Sequence, residues 1–388
     1  MKVRVRISIL AIALMLVACG SEEPTREETP VVASLEPSPT QAIMRDILES
    51  LQVALPASGN QETFRDPANR ARIAAALSKL TSASAVLEDH AARKDPQMRY
   101  LARSIERDSR EAQREFMTER YDRASFLLHK ITENCIVCHT RLASESDSDF
   151  SRRFISPSEF EAMDPESRAS LQIATRRFED ALDTLEELLA SPQPAALMLG
   201  PLTDYLVISI RVKDDYERPV PVLRRFAARG DVWTSLREYV NGWIDALPRL
   251  HEQAEAAPTL ATARALLAEG AELDPFVGSH AALVHNIVAS SILEKLIAAD
   301  PPPGPELGES FFLLGIIESS IGRNYWVTPA PFLLETSIRL APGEPYARKA
   351  YTMLEREMLR SYEGSPTEEL PAEERERLSE LRALIGAD

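Results

Sequence analysis

The chain has 388 residues and carries 44 Lys and Arg against 60 Asp and Glu, a formal charge of −16. That surplus of acid argues against nucleic acid and against an anionic membrane surface as partners, and suits a solvated acidic surface or a basic partner protein. The length admits two or three domains, and the scarcity of glycine (14 residues), the rarity of β-branched alternation and the abundance of Ala, Leu, Glu and Arg predict an all-α protein.

Residues 1–18 begin with Lys2, Arg4 and Arg6, hold no acid, and continue into an apolar run from Ile7 to Val17 broken only by Ser8. Such a segment reads as a secretory signal, too short and too one-sided for a spanning helix. It ends in Leu16-Val17-Ala18-Cys19-Gly20, which resembles the lipobox of bacterial lipoproteins. The resemblance implies that Cys19 is diacylated and becomes the mature N-terminus. With Gly20 rather than aspartate after it, the same resemblance implies a protein held on the outer membrane and facing the periplasm, the inner membrane being the lesser alternative. An ordinary signal peptide with an incidental cysteine is the competing reading. Without the three bases of the leader the charge is −19. Residues 19–37, rich in acids, prolines and small polar residues, are expected to be a disordered tether.

Helix starts are written in one recurring form, a capping residue followed by proline: Ser38-Pro39, Asp66-Pro67, Asp95-Pro96, Ser156-Pro157 and Asp164-Pro165. The first helix is expected over 39–55, with Ile43, Ile47, Leu48, Leu51 and Leu55 on its apolar face. The second, over 67–92, repeats Ile73, Leu77, Leu80, Ser84 and Leu87. A third begins at Pro96 with Leu101, Ile105, Ala112 and Phe116, and a fourth carries Tyr121, Ala124, Leu128, Ile131, Cys135 and Cys138. No proline or glycine separates 97 from 156. A continuous helix from 96 to 144 would run roughly 70 Å at about 1.5 Å per residue, more than its neighbours could cover, so a turn is expected near 118–122. Four helices with short connections favour an up-down-up-down bundle. One end of that bundle would gather Met44, Leu48, Leu87, His90, Met98, Leu101 and residues 135–139.

Cys135-Ile136-Val137-Cys138-His139 is the attachment sequence for c-type haem. Two thiols one helical turn apart add to the porphyrin vinyl groups, and the adjoining imidazole is delivered to the iron as proximal ligand. A thioredoxin-like dithiol would not require His139, and the βαβ surroundings of that fold are missing. The chain has three cysteines, so one for lipid and two for haem leave none for a disulfide. Export and haem attachment point to the same compartment.

Residues 38–145 resemble the class II c-type cytochromes, the cytochrome c′ group, and the corresponding domain is set at 38–148. The likeness rests on the haem motif near the end of the fourth helix, on Gln41-Ala42-Ile43-Met44-Arg45 in the first, and on the Ala-rich second helix over 71–92. It implies that Met44 lies on the face of the haem opposite His139. The sequence departs from the family after the motif, where Thr140-Arg141-Leu142 replaces the usual aromatic-basic pair. A methionine bound to iron would give a six-coordinate haem of raised potential, suited to electron transfer. A Met44 that only packs over the ring would leave the iron open to small gases, and His90 and Met98 are the other candidates for the sixth ligand. Arg45, Arg93, Lys94, Arg99 and Arg141 are candidate partners for the haem carboxylates.

Residues 149–388 continue as helices, with apolar patterns over 165–190, 195–213, 232–250, 259–272, 279–299, 306–322, 328–340 and 344–361. Phe311-Phe312-Leu313-Leu314-Gly315, then Ala330, Leu334, Ser337 and Ala341-Pro342-Gly343, resemble a tetratricopeptide repeat, and an unrelated helical bundle is the alternative. Arrays of that kind bind partners and seldom perform chemistry. His280 and His285, five apart, do not share a helical face, and Trp233, Trp243 and Trp326 read as core before they read as partner anchors.

The expectation is a membrane-anchored periplasmic monohaem cytochrome rather than an enzyme. It would carry single electrons and dock a redox partner or envelope complex through its C-terminal helices. A haem-based gas binder or sensor with a vacant distal site is the first alternative, and an envelope scaffold with a structural haem the second.

Overall fold

A computed structural model describes residues 38–91, 96–141, 163–273, 279–321, 329–362 and 370–386. The expected signal, tether and lipidated Cys19 lie outside these residues, as do Arg93, Lys94, Ser156-Pro157, Trp326 and the domain division at 148/149. Among the described residues every regular element is helical, so the protein is all-α.

Helices α1 (Pro39–Ser58), α3 (Pro67–Ala91), α4 (Pro96–Met117) and α5 (Tyr121–Arg141) pack on one another, with the short α2 (Gln61–Arg65) between α1 and α3. The cap-and-proline reading holds at α3, where the Asp66 carboxylate accepts from the Ala68 N–H at 2.9 Å. Along α3 Ile73, Leu77, Leu80 and Leu87 are buried at spacings of three and four, and Ile43, Ile47, Leu51 and Leu55 do the same on α1. Each of these side chains contributes roughly 1.5–3 kcal/mol by leaving water.

The break between α4 and α5 falls at residues 118–120. Glu119 takes a left-handed φ of 64°. The Arg120 N–H reaches the Glu115 carbonyl at 2.9 Å, and the Glu119 N–H reaches Phe116 at 3.1 Å. Those two bonds make a Schellman motif, whose left-handed position is usually glycine.

The second half contributes α6 (Pro165–Ala174), α7 (Phe178–Ala190), a 3₁₀ turn (Ala195–Leu197), α8 (Leu199–Leu206), a π-helical segment (Val207–Val212), α9 (Pro219–Ala227), α10 (Thr234–Ala256) and α11 (Leu260–Leu273). It continues with α12 (Leu283–Ala298), α13 (Pro305–Ser320), α14 (Ala330–Leu340), α15 (Pro345–Tyr362) and α16 (Ala372–Leu384). Three departures from the sequence reading stand out. The pattern over 165–190 is two helices, α9 fills a stretch read as connecting chain, and α16 lies beyond the last predicted helix. Between α6 and α7 the Arg177 N–H bonds the Gln172 carbonyl at 2.8 Å and the Arg176 N–H bonds Ile173 at 3.0 Å. Arg176 sits at φ 59°, so a second Schellman motif stops α6 with an arginine in the position glycine usually takes.

Gly315 on α13 faces α14 closely: a Cβ there would meet Leu334 Cδ2 at 2.9 Å, so a larger residue would force the Leu334 side chain to move. Residues 39–388 form one compact unit. Within it one apolar core lies inside the α1–α5 bundle, a second runs from Ile136 through α6–α13, and a third joins α13–α16. The helix bearing the cysteines therefore bridges the first two cores.

Candidate functional site

Cys135, Cys138 and His139 stand at i, i+3 and i+4 on α5, one face of the helix near its C-terminus. They line a narrow apolar cleft whose cavity volume is only about 20 Å³. Its other walls are Met44 and Ile47 from α1, Leu87 from α3, and Leu101, Ala102 and Ile105 from α4. The topology explains the gathering, because the start of α1, the end of α3, the start of α4 and the end of α5 share one end of the bundle. The cleft thus brings Met44 together with the two cysteines and His139. Leu48, by contrast, is buried in the bundle core. His90 accompanies Thr40, its Nε2 lying 2.8 Å from the hydroxyl. The side chain of Met98 lies outside the described residues.

His139 is held by one hydrogen bond from outside the bundle. Its Nδ1 lies 2.7 Å from the carbonyl oxygen of Ala174, the last residue of α6. A carbonyl only accepts, so Nδ1 carries the proton and Nε2 keeps its lone pair. The Schellman motif explains why that carbonyl is free: α6 stops before any later N–H can reach it. Burial, then the nearby Arg176 guanidinium, pushes the imidazole down to about 4 against the upward pull of the Ala174 bond. At neutral pH the ring is neutral. His139 is half-buried and lines the cleft.

Cys135 donates its S–H to the Ile131 carbonyl at 3.3 Å. Burial, with Cys138 beside it, pushes the thiol up to about 12. That is the opposite direction from the depressed values of about 3.5–7.5 found in cysteines that work as redox nucleophiles. Both cysteines are free of any disulfide.

Arg141, offered by the sequence as a carboxylate partner, points elsewhere. Its side chain is 3 % exposed and its Nε lies 2.6 Å from Glu294 Oε1 on α12. Beside it Arg211, on the π-helical segment, has its guanidinium 2.9 Å from Glu318 of α13 and donates to Ser290 at 2.9 Å. Burial works against the Arg141 charge, while Glu294 and Glu318 hold its proton more firmly. These pairs tie the end of α5 to the helical array. Arg45 runs along the α1 surface with Asp46 and Glu49 at 4.0 and 3.8 Å, and Arg99 is exposed.

Sequence reasoning missed Ile47, Ala102 and Ile105 as cleft walls, although their apolar spacing was visible. It also missed Ala174 and Arg176, for which no sequence signal exists. Elsewhere Trp243 is buried and donates to the His280 carbonyl at 2.9 Å, Trp233 is exposed, and His285 faces Glu269 at 3.4 Å. Among the described residues no group of three or more His, Cys, Asp or Glu side chains is placed to hold a metal ion, and no helix is long and apolar enough to cross a membrane. A porphyrin brings its own four nitrogens and asks the chain only for axial ligands. The chemistry of the lining fits that demand, with one imidazole, a thioether, two thiols and otherwise hydrocarbon. The cleft as it stands has room for about one water, so α1, α3 and α4 would have to part from α5 to admit the ring. No family model, curated protein or solved structure matches the chain.

Proposed function

We propose that the protein is a monohaem c-type cytochrome that passes single electrons, exported and anchored to the membrane through lipid on Cys19. The observation that carries this reading is the His139 imidazole. The Ala174 carbonyl fixes its tautomer so that Nε2 keeps its lone pair, on a residue that lines a cleft shared with both cysteines and Met44. A backbone carbonyl taking the second ring N–H is the usual support of a metal-bound histidine, because it sets the tautomer and raises the basicity of the ligating nitrogen. When bound, haem supplies a one-electron couple.

The residues divide the remaining work. Cys135 and Cys138 would hold the ring covalently, and His139 would ligate from the proximal side. Met44 would complete the coordination from α1. Leu87, Leu101 and Ile105 would keep water from the metal, which with a thioether ligand raises the potential. The helical array would serve as the docking surface for a redox partner or envelope complex.

The test is the intact mass of the full chain produced in a host that attaches haem c. The reading expects one haem per chain that survives denaturation, and loss of that covalent mass in the Cys135→Ser/Cys138→Ser double variant. A chain of unmodified mass under those conditions would overturn it.

A further inference from the structure

Between residues 99 and 114 every exposed position of α4 is an arginine: Arg99, Arg103, Arg107, Arg110 and Arg114. Spacings of four and three set them in one row, about 22 Å long. The acids of the same helix, Glu106, Asp108, Glu111 and Glu115, are buried or half-buried behind them. A solvated helix face ordinarily mixes the two signs. Here they are layered, anions inside and cations outside, in a chain whose formal charge is −16. Named contacts hold the layers together. Arg107 meets Asp108 at 3.4 Å, Arg110 meets Glu106, and Arg114 meets Glu111 at 3.6 Å. These three arginine side chains are still 60–66 % exposed, against 1 % for Asp108 and 7 % for Glu106. Each contact uses one nitrogen of a fork that carries five N–H donors. The neighbouring α5 widens the face: Arg123 reaches Glu111 at 2.9 Å and Lys130 reaches Asp108 at 3.2 Å. Phe126, three residues after Arg123 and four before Lys130, shares their side of α5 and is 40 % exposed.

We propose that this α4 face is a docking surface for an acidic protein, the arginine row taking the partner's carboxylates and Phe126 serving as the apolar anchor beside it. The planar fork of arginine matches a carboxylate edge to edge, and it keeps its charge at any working pH. The inner carboxylates already hold the long side chains, so less freedom is lost on docking than from a loose surface arginine. Arginine and phenylalanine are also the residue types that interfaces favour. The charge of the rest of the chain gives the surface its selectivity. An acidic partner is repelled by an acidic molecule except where the sign reverses, so the row orients the encounter. The same net charge opposes contact with the plane of an anionic bilayer. The opposite face of α4 supplies Leu101, Ala102 and Ile105 to the cleft, so a docked partner would stand one helix away from it, about 10 Å. The proposal itself does not require haem.

The test is binding of the full chain to poly-L-glutamate, with phosphatidylglycerol vesicles as the second probe. Binding to the polymer that weakens as salt is added is expected, and weaker binding to the vesicles. The variant Glu106→Gln/Arg110→Gln/Glu111→Gln/Arg114→Gln removes two outer cations together with their inner anions. Glu115 keeps Arg120 and Arg123, so no buried charge is stranded, and the net charge of the chain is unchanged. This variant is expected to keep the helical circular dichroism of the parent and to bind the polymer about tenfold more weakly. A variant as helical as the parent that binds within about twofold of it would overturn the proposal. So would tighter binding to the vesicles than to the polymer, which would make the face a membrane contact. Phenylglyoxal labelling of the unaltered chain gives a readout that no folding defect can blur. The polymer should shield Arg107, Arg110 and Arg114 and leave the exposed Arg224 and Arg225 of α9 labelled as before. Equal shielding of the two sets, or none, would overturn the assignment.

Discussion

The two ends of the α1–α5 bundle are built differently. At one end Phe64, Phe116 and Tyr121 pack ring against ring, with centroids 5.1, 5.4 and 6.0 Å apart. Arg70 closes that end, donating to Glu119 at 2.7 Å and to the Tyr121 hydroxyl at 3.2 Å. Every one of these groups comes from within the bundle. The opposite end is lined by aliphatic side chains, two thiols and an imidazole, and it is completed from far along the chain. The Ala174 carbonyl reaches it from the α6–α7 turn, and Glu294 holds Arg141 from 153 residues away. A bundle needs one solid end for stability, and the other end is then available for a ligand.

The largest expected effect falls on the solid end. Phe116→Ala removes a fully buried ring and should cost about 4 kcal/mol in urea denaturation, while leaving the spectrum and potential of the haem-loaded protein unchanged. A changed spectrum would mean that the two ends are coupled through the core.

At the other end Glu294→Gln takes from the buried Arg141 guanidinium the carboxylate that touches it and should cost about 3 kcal/mol. Breaking this pair should also raise the rate of proteolysis within both halves together, because α5 belongs to both cores. Cleavage confined to one half would separate them.

The pH dependence sharpens the contrast further. His139 is held at about 4 when folded, below its ordinary value of 6.5, because burial and Arg176 disfavour the proton. The unfolded chain thus binds more protons between those values. Stability from this group is complete above pH 6.5 and is lost as the pH falls from there toward 4, by up to about 3 kcal/mol. The slope should appear in denaturation of the haem-free chain and vanish after haem attachment, where ligation keeps the ring neutral. A haem-free chain whose stability is flat over that range would contradict the geometry drawn for His139.

Much of the bundle was legible in the sequence for a physical reason. Apolar side chains at spacings of three and four announce a buried face, and Asp66-Pro67 announces a helix start by removing an unbonded N–H and capping its neighbours. The gathering of Met44, Leu87, Leu101 and Cys135 at one end then follows from four alternating helices. What failed to show were stops without glycine. The break at Glu119 was placed only from the length a single helix would need, and the one at Arg176 was not placed at all, so 165–190 read as one helix. Pro219 stands at the first position of α9, in a stretch between the predicted apolar patterns, and α16 buries little beyond Leu378 and Leu381 amid charge. Periodicity also reports that a face is buried without naming its partner. That is why Arg141 was offered to a haem carboxylate when Glu294 takes it, and why Ala174 escaped notice: a backbone carbonyl leaves no mark in sequence.

The most direct measurement is the absorption spectrum of the haem-loaded protein, oxidised and reduced, with carbon monoxide then added to the reduced form. The account predicts a low-spin spectrum with a weak methionine-to-iron band that the gas leaves unchanged, and loss of that band in Met44→Ala. A high-spin spectrum that shifts when the gas is added would contradict it and make the cleft a gas-binding site.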